Sequence, residues 1–250
     1  MSSHCPVSYM TRTFGSNSLP GFAAILFAGF VVLLSDTVVA EDLSKKELST
    51  EDFSQEYRWQ EKRNDDGIAI YTKKVKGSKH KAVRAEMIIS ASLNSLVGLI
   101  MDTSSCHDLA KLCREATELE VTSETELLIY SYNDVPWPVS DRDAVSKVVW
   151  TQDPESLTIS MMATVINYDL PVNNKVVRIT SGNTSWQFEP LGNGEVRVTT
   201  EAHIDPGGPT PTWLTNMLIV DSPFDTMRNF RRIAASGKYE RSEFEFITEP

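Results

Sequence analysis

Glu195-Val-Arg-Val-Thr-Thr-Glu-Ala-His-Ile-Asp205 and, shortly after it, Pro209-Thr-Pro-Thr-Trp-Leu-Thr-Asn-Met-Leu-Ile-Val-Asp-Ser-Pro-Phe-Asp-Thr-Met-Arg-Asn-Phe-Arg-Arg-Ile-Ala-Ala235 decide the fold between them. In the first stretch Val196, Val198, Ala202 and Ile204 alternate with Glu195, Arg197, Thr199, Glu201 and His203, the period of a strand with one dry face. In the second, Trp213, Met217, Val220, Phe224, Met227 and Phe230 recur at intervals of three or four residues, one apolar stripe along a helix. Pro223 interrupts that helix and is expected to kink it. Each element has one face to bury, and each supplies what the other needs.

Upstream, the pattern repeats in strand form. Leu157, Ile159, Met161, Ala163 and Val165 oppose Thr158, Ser160 and Thr164, and Val83, Ala85, Met87 and Ile89 oppose Arg84 and Glu86. Strands are expected near Trp59 to Arg63, Ile68 to Val75, Lys81 to Ile89, Glu124 to Tyr132, Arg142 to Trp150, Leu157 to Ile166, Val176 to Phe188 and Glu195 to Asp205. The turns Asn64-Asp65-Asp66-Gly67, Asp153-Pro154-Glu155 and Leu191-Gly192-Asn193-Gly194 are short, so consecutive strands should pair antiparallel. Ser92 reads as the N-cap of a helix with Leu93, Leu96, Val97, Ile100 and Met101 on its dry stripe, and a second short helix is expected over Cys106 to Cys113. These elements describe an α+β domain, an antiparallel sheet with one long helix at its C-terminal end.

The chain of 250 residues has 41% apolar and 23% charged side chains, enough for a substantial core, and its net charge of -10 lacks the cationic footprint of a nucleic-acid binder. Phe22 to Leu34 is an uncharged apolar run too short for the roughly 20 residues that cross a bilayer. With Arg12 upstream and Val38-Val39-Ala40 before Glu41, residues 1–40 read as a signal peptide and the protein as exported, periplasmic or secreted. Met10 is an alternative start, and an uncleaved N-terminal anchor is the competing reading, at the cost of Asp36 within it. Residues 41–58 are expected to be a polar segment or short helix. If Cys106 and Cys113 share one helix, seven residues of about 1.5 Å rise place their Cα atoms roughly 10 Å apart, beyond disulfide reach, so both are expected free.

Three separated motifs in order, Asp66-Gly67-Ile68-Ala69-Ile70-Tyr71, Trp137-Pro138-Val139-Ser140-Asp141-Arg142-Asp143 and Asp205-Pro206-Gly207-Gly208 followed by Pro211, Trp213, Leu214 and Asn216, closely resemble START lipid-transfer domains. The resemblance implies a helix-grip (START/Bet v 1-like) fold over residues 59–235, followed by a C-terminal tail at 236–250. It also implies an internal apolar tunnel for one lipid, sterol-like or fatty acyl molecule, closed by the C-terminal helix and the 132–141 loop. Candidate ligand-contacting residues are Trp137, Leu127, Ile129, Val198, Thr200, Trp213, Met217, Val220, Phe224 and Met227, with Asp141, Arg142 and Asp143 as the lid anchor. Trp137 is either a membrane-facing ring or a plug in the core, and the charged triplet either an anchor or a surface ion pair.

The expected function is non-enzymatic binding and transfer of one hydrophobic molecule by a monomer that touches membranes transiently. No Gly-x-Ser-x-Gly elbow, phosphate-cradling loop or His-Glu-x-x-His helix marks a catalytic centre, and no cofactor and no metal are expected. Two other readings stay open: a cavity enzyme of the helix-grip superfamily, cyclase-like, and a ligand-sensing or protein-binding module. Leu127, Ile129, Val196, Val198, Ala202 and Ile204 should face inward, with Thr200 and Arg178 as the polar candidates among them.

Overall fold

The computed structural model describes residues 57–171, 175–208 and 210–250, with the side chains of Thr212 and Trp213 outside that description. The leader expected at 1–40, and the polar segment expected at 41–58 apart from residues 57 and 58, lie outside the described residues.

Strands β1 (Gln60–Asp65), β2 (Ile68–Lys74) and β3 (Lys81–Ser90) form two successive hairpins. The first turns on Asp66 and Gly67, with φ of 51° and 70°, the pair of left-handed residues that a two-residue hairpin needs. Helices α1 (Leu93–Met101) and α2 (Cys106–Leu109) then carry the chain across to the opposite edge of the sheet. There it continues as β4 (Cys113–Ser123), β5 (Glu126–Asn133), β6 (Asp141–Gln152), β7 (Ile159–Val165), β8 (Val176–Arg178), β9 (Ser181–Gly192) and β10 (Glu195–Asp205). The sheet order is β1-β2-β3-β10-β9-β7-β6-β5-β4, every neighbour antiparallel, with β8 added parallel to the start of β6. The sheet curves without closing, leaving β1 and β4 as edges.

The two-residue period puts the dry faces of neighbouring strands together. Val198 sits opposite Met87 on one side and Phe188 on the other, and all three are buried. The C-terminal helix lies against that face. It begins as α3 (Thr212–Asn216), passes through a π-helical turn (Met217–Asp221) and continues as α4 (Ser222–Ala234). The interruption expected at Pro223 takes this form: the Ser222 N–H reaches back to the Met217 carbonyl, so the widened turn ends where the proline, which has no N–H to give, begins the next segment. Phe224, Met227, Phe230 and Ile233 of α4 are buried. Phe230 stacks on Trp186 with ring centroids 5.1 Å apart and on Phe188 at 6.0 Å, filling one end of the space under the sheet.

Residues 236–250 fold back on α1. Tyr239, Phe244, Phe246 and Ile247 pack against the core, and the Glu249 carboxylate accepts hydrogen bonds from the Leu93 and Asn94 backbone N–H groups at 3.0 and 2.8 Å. Ser92 caps the same helix end, its hydroxyl accepting from the Ser95 N–H as its position in the sequence predicts. At the other end of α1, Asp102 accepts from Tyr239 and Lys238 at 2.7 and 2.9 Å. Burial pushes the Asp102 pKa up, but hydrogen bonds from Ser104, Tyr239, Lys238 and Ser105 outweigh it and hold this carboxyl well below the usual range.

One expectation fails outright. Cys106 and Cys113 are disulfide-bonded, with Cα atoms 5.7 Å apart. The helix that would have separated them ends at Leu109, and the chain turns so that Cys113 opens β4 beside the residue that opens α2. The rise per residue was correct and the helix length was not.

Candidate functional site

The interior between sheet and helix is divided. One end is filled by Trp186, Phe188, Phe224, Met227 and Phe230. At the other end, under α3 and the π turn, lies a largely apolar cavity of about 230 Å³. Its floor is Val83 of β3 with Ala202 and Ile204 of β10; its roof is Leu214, Leu218 and Ile219 of the C-terminal helix; its side walls include Leu112, Val135 and Ile179. Ala202 and Ile204 are the inward positions that alternation assigns to β10. The small Ala202 side chain, where a large one would meet the helix, leaves part of the room. His80 and Lys81 stand on the β3 side of the wall, with His80 Nε2 3.3 Å from Asp205 Oδ1.

Arg142 is the buried charged group in the wall, where Lys81 is the exposed one. It is 5% exposed, and alternation along β6 turns it inward with Ala144 and Val148 while Asp141 and Asp143 turn away. Its Nε donates to the Pro206 carbonyl and its Nη2 to the Gly207 carbonyl, both at 3.2 Å, and its Nη1 to the Ser140 carbonyl. Among the described residues no ion pair joins it to a carboxylate. Burial lowers its pKa, opposed only by the Asp141 charge. Beside it, Thr210 Oγ1 is buried without a hydrogen-bond partner among the described residues.

The two flanking acids have other work. Asp141 accepts from the Tyr132 hydroxyl at 2.7 Å and the Val135 N–H at 2.9 Å, fixing the loop that precedes β6; burial raises its pKa, and the bonds from Val135 and Tyr132 bring it below the ordinary value. Asp143 takes a bidentate bond from Arg178, Nε at 2.6 Å and Nη2 at 2.8 Å, with the carboxylate buried and the guanidinium side chain 15% exposed. Arg178 is therefore a partner of Asp143 and not a tunnel residue, and the triplet is not a surface ion pair. Among the described residues no group of three His, Cys, Asp or Glu side chains is placed to hold a metal.

The sequence model of the START domain matches residues 39–238. The chain belongs to the START domain family. It is 30% identical over 176 residues to the uncharacterised protein PA1579 of Pseudomonas aeruginosa, covering 70% of this chain and 86% of that one. Among solved structures, the STAR-related lipid transfer protein of Xanthomonas axonopodis superposes with a TM-score of 0.64 at 28% identity, over 71% of this chain and 98% of that one. Human StAR-related lipid transfer protein 5 gives the same TM-score, 0.64, at 18% identity, covering 80% and 96% of the two chains, a likeness of fold. The antiparallel sheet gripping a C-terminal helix is the architecture this family implies.

Within this START domain, most of the residues that the sequence suggests for ligand contact are placed elsewhere. Leu127, Val198, Phe224 and Met227 are buried in the packed core, with Ile129 against them. Thr200 spends its hydroxyl on the Ser185 carbonyl at 2.9 Å. Met217 and Val220 are half-buried on the π turn and do not line the cavity, whereas Leu218 and Ile219 of the same turn do. The side chain of Trp213 lies outside the described residues. Trp137 is 91% exposed, so it is not a plug. Of the residues suggested for ligand contact or as the lid anchor, Arg142 alone borders the cavity among the described side chains. Register along β6 carries that signal: Leu127 pairs with Val148 and Ile129 with Ser146, which places Arg142 on the inner face four residues further toward the strand's start.

Proposed function

We propose that the chain is a non-catalytic carrier that holds one small hydrophobic or amphiphilic molecule, or the end of a longer one, in the cavity beneath α3 and the π turn. The observation that carries this reading is the cavity itself, largely apolar and walled by the sheet on one side and the C-terminal helix on the other. Apolar surface left in contact with a void costs stability that a ligand restores at about 0.8 kcal/mol per buried methylene. A volume of about 230 Å³ falls just below the usual range of small-molecule sites and has room for about eight groups of water size.

Exit from the cavity runs past the 132–141 loop, which Asp141 ties down at Val135. Trp137 at its tip offers an exposed amphipathic ring suited to a bilayer interface, so contact with a membrane delivers or collects the ligand there. The disulfide supports export to an oxidising compartment, in line with the leader read from residues 1–40. Native mass spectrometry of the purified chain, with extraction of what co-purifies, tests the reading. One amphiphile of modest size per chain is expected; a delipidated chain that takes up no acyl probe of six to twelve carbons refutes it.

A further inference from the structure

Arg142 and Thr210 border two spaces at once. Both line the inner cavity, and both also line an outer groove formed with Pro138, Val139, Ser140, Val177 and Pro211. They are the partition between an apolar interior and the solvent side of the 132–141 loop.

A guanidinium has five N–H donors, of which three are met here by the Pro206, Ser140 and Gly207 carbonyls. Those carbonyls orient the fork and hold two loops together, but they carry no net charge. Among the described residues no carboxylate bonds this buried cation, although the Asp141 charge lies near it, and two N–H groups of the fork have no acceptor there. The two acids beside it in sequence are bound elsewhere, Asp141 by Tyr132 and Val135 and Asp143 by Arg178. Thr210 Oγ1, buried and unpartnered, adds a hydroxyl in the same wall.

We propose that the ligand carries an anionic head group, a carboxylate or a phosphate ester, held at this partition by Arg142 and Thr210 with its apolar chain in the cavity. This rests on the carrier reading above. The charge-assisted, forked contact that a guanidinium offers is the strong form of hydrogen bond and matches both oxyanions in shape. It would select acids over alcohols of the same chain length, which an apolar cavity alone cannot do.

The test is calorimetric titration of the full chain at pH 8 with octanoate, octyl phosphate and octanol. The wild type is expected to bind one or both anions about tenfold or more tightly than octanol. The better of octanoate and octyl phosphate names the source of the head group. In Arg142→Gln the anion should fall to the affinity of octanol in the same variant, and Thr210→Val should weaken the anion about threefold or more. Equal binding of anions and octanol by the wild type, or a preference that persists in Arg142→Gln, overturns the inference and leaves the carrier reading standing. Failure of all three probes to bind overturns both. If Arg142→Gln does not fold, a crystal structure of the wild type with octanoate decides: a carboxylate on the Arg142 fork and Thr210 Oγ1 supports the assignment, and one at Lys81 overturns it.

Discussion

Filling the cavity from inside separates a ligand site from a packing defect, and Ala202→Phe is the substitution that does so. Ala202 lies on the inner face of β10 opposite Val83, and both residues line the void. A void of about 150 Å³ is enough to take up a benzene ring, so a phenyl group introduced at position 202 consumes well over half of the 230 Å³ available. About five methylenes of an eight-carbon chain are then excluded, which removes about 4 kcal/mol of burial and lowers affinity about 10³-fold. The fold should survive: a buried ring gains about 1.5–3 kcal/mol and overpacking costs about 1–3, so the net change is small. Octanoate titration together with thermal unfolding reads both quantities. Undiminished binding by a well-folded Ala202→Phe chain would refute the placement of the ligand under α3, while loss of folding would show that the void is tighter than its volume implies.

The remaining predictions concern what holds the site. Replacing Cys106 and Cys113 by alanine, or reducing them, frees a loop of about eight residues and should cost about 2–3 kcal/mol by chain entropy, lowering the midpoint by roughly 5–10 °C; equal melting curves with and without reductant would contradict it. The Asp102 carboxyl is depressed in the folded state, so its stabilising contribution is present above the ordinary aspartate value and is lost as pH falls through its lower folded value. Urea unfolding of Asp102→Asn should therefore show a deficit against wild type at pH 7 that shrinks steadily below about pH 4, and a deficit independent of pH would sink the assignment. Trp137→Ala should leave stability within about 0.5 kcal/mol of wild type, because the ring is exposed, yet reduce sedimentation with phosphatidylcholine vesicles severalfold; unchanged sedimentation would remove Trp137 from membrane contact.

Strand periodicity made much of this fold legible, and its failures are informative. β10 and β7 alternate in the sequence as they do in the structure, since each has one wet face. β4 gives no such signal: Glu115, Glu118 and Glu120 leave it exposed on both faces as an edge strand, and its pairing to β5 shifts register three times. The disulfide was hidden by the same misreading, because a helix drawn through Cys113 left no β4 for it to open. Residues 236–250 have no periodicity either, since they pack by single side chains such as Tyr239 and Phe244 onto α1. The apolar stripe of the C-terminal helix was visible, but not which half of it meets solid core. That depends on what faces it: Trp186 and Phe188 under α4, Ala202 under α3 and the π turn.

This uneven filling reconciles a stable fold with a hollow end. If it stood unfilled and closed to solvent, a cavity of 230 Å³ would cost up to about 5–6 kcal/mol at about 24 cal/mol per Å³, comparable to the whole net stability of many domains. Burying Phe188, Phe224, Met227 and Phe230 contributes about 1.5–3 kcal/mol each, roughly 6–12 kcal/mol in sum, so the packed end can carry the hollow one. The helix is also held at the packed end, where Arg231 bonds Asp66 in the β1–β2 turn and Arg63 lies 3.3 Å over the Phe224 ring. Among the described residues no ion pair or cation–π contact ties down α3, which is held by the buried Leu214. A chain packed evenly along the helix would be more stable and would have no room for a guest; one hollow along its whole length would lose the anchor that keeps the helix in place when the cavity is empty.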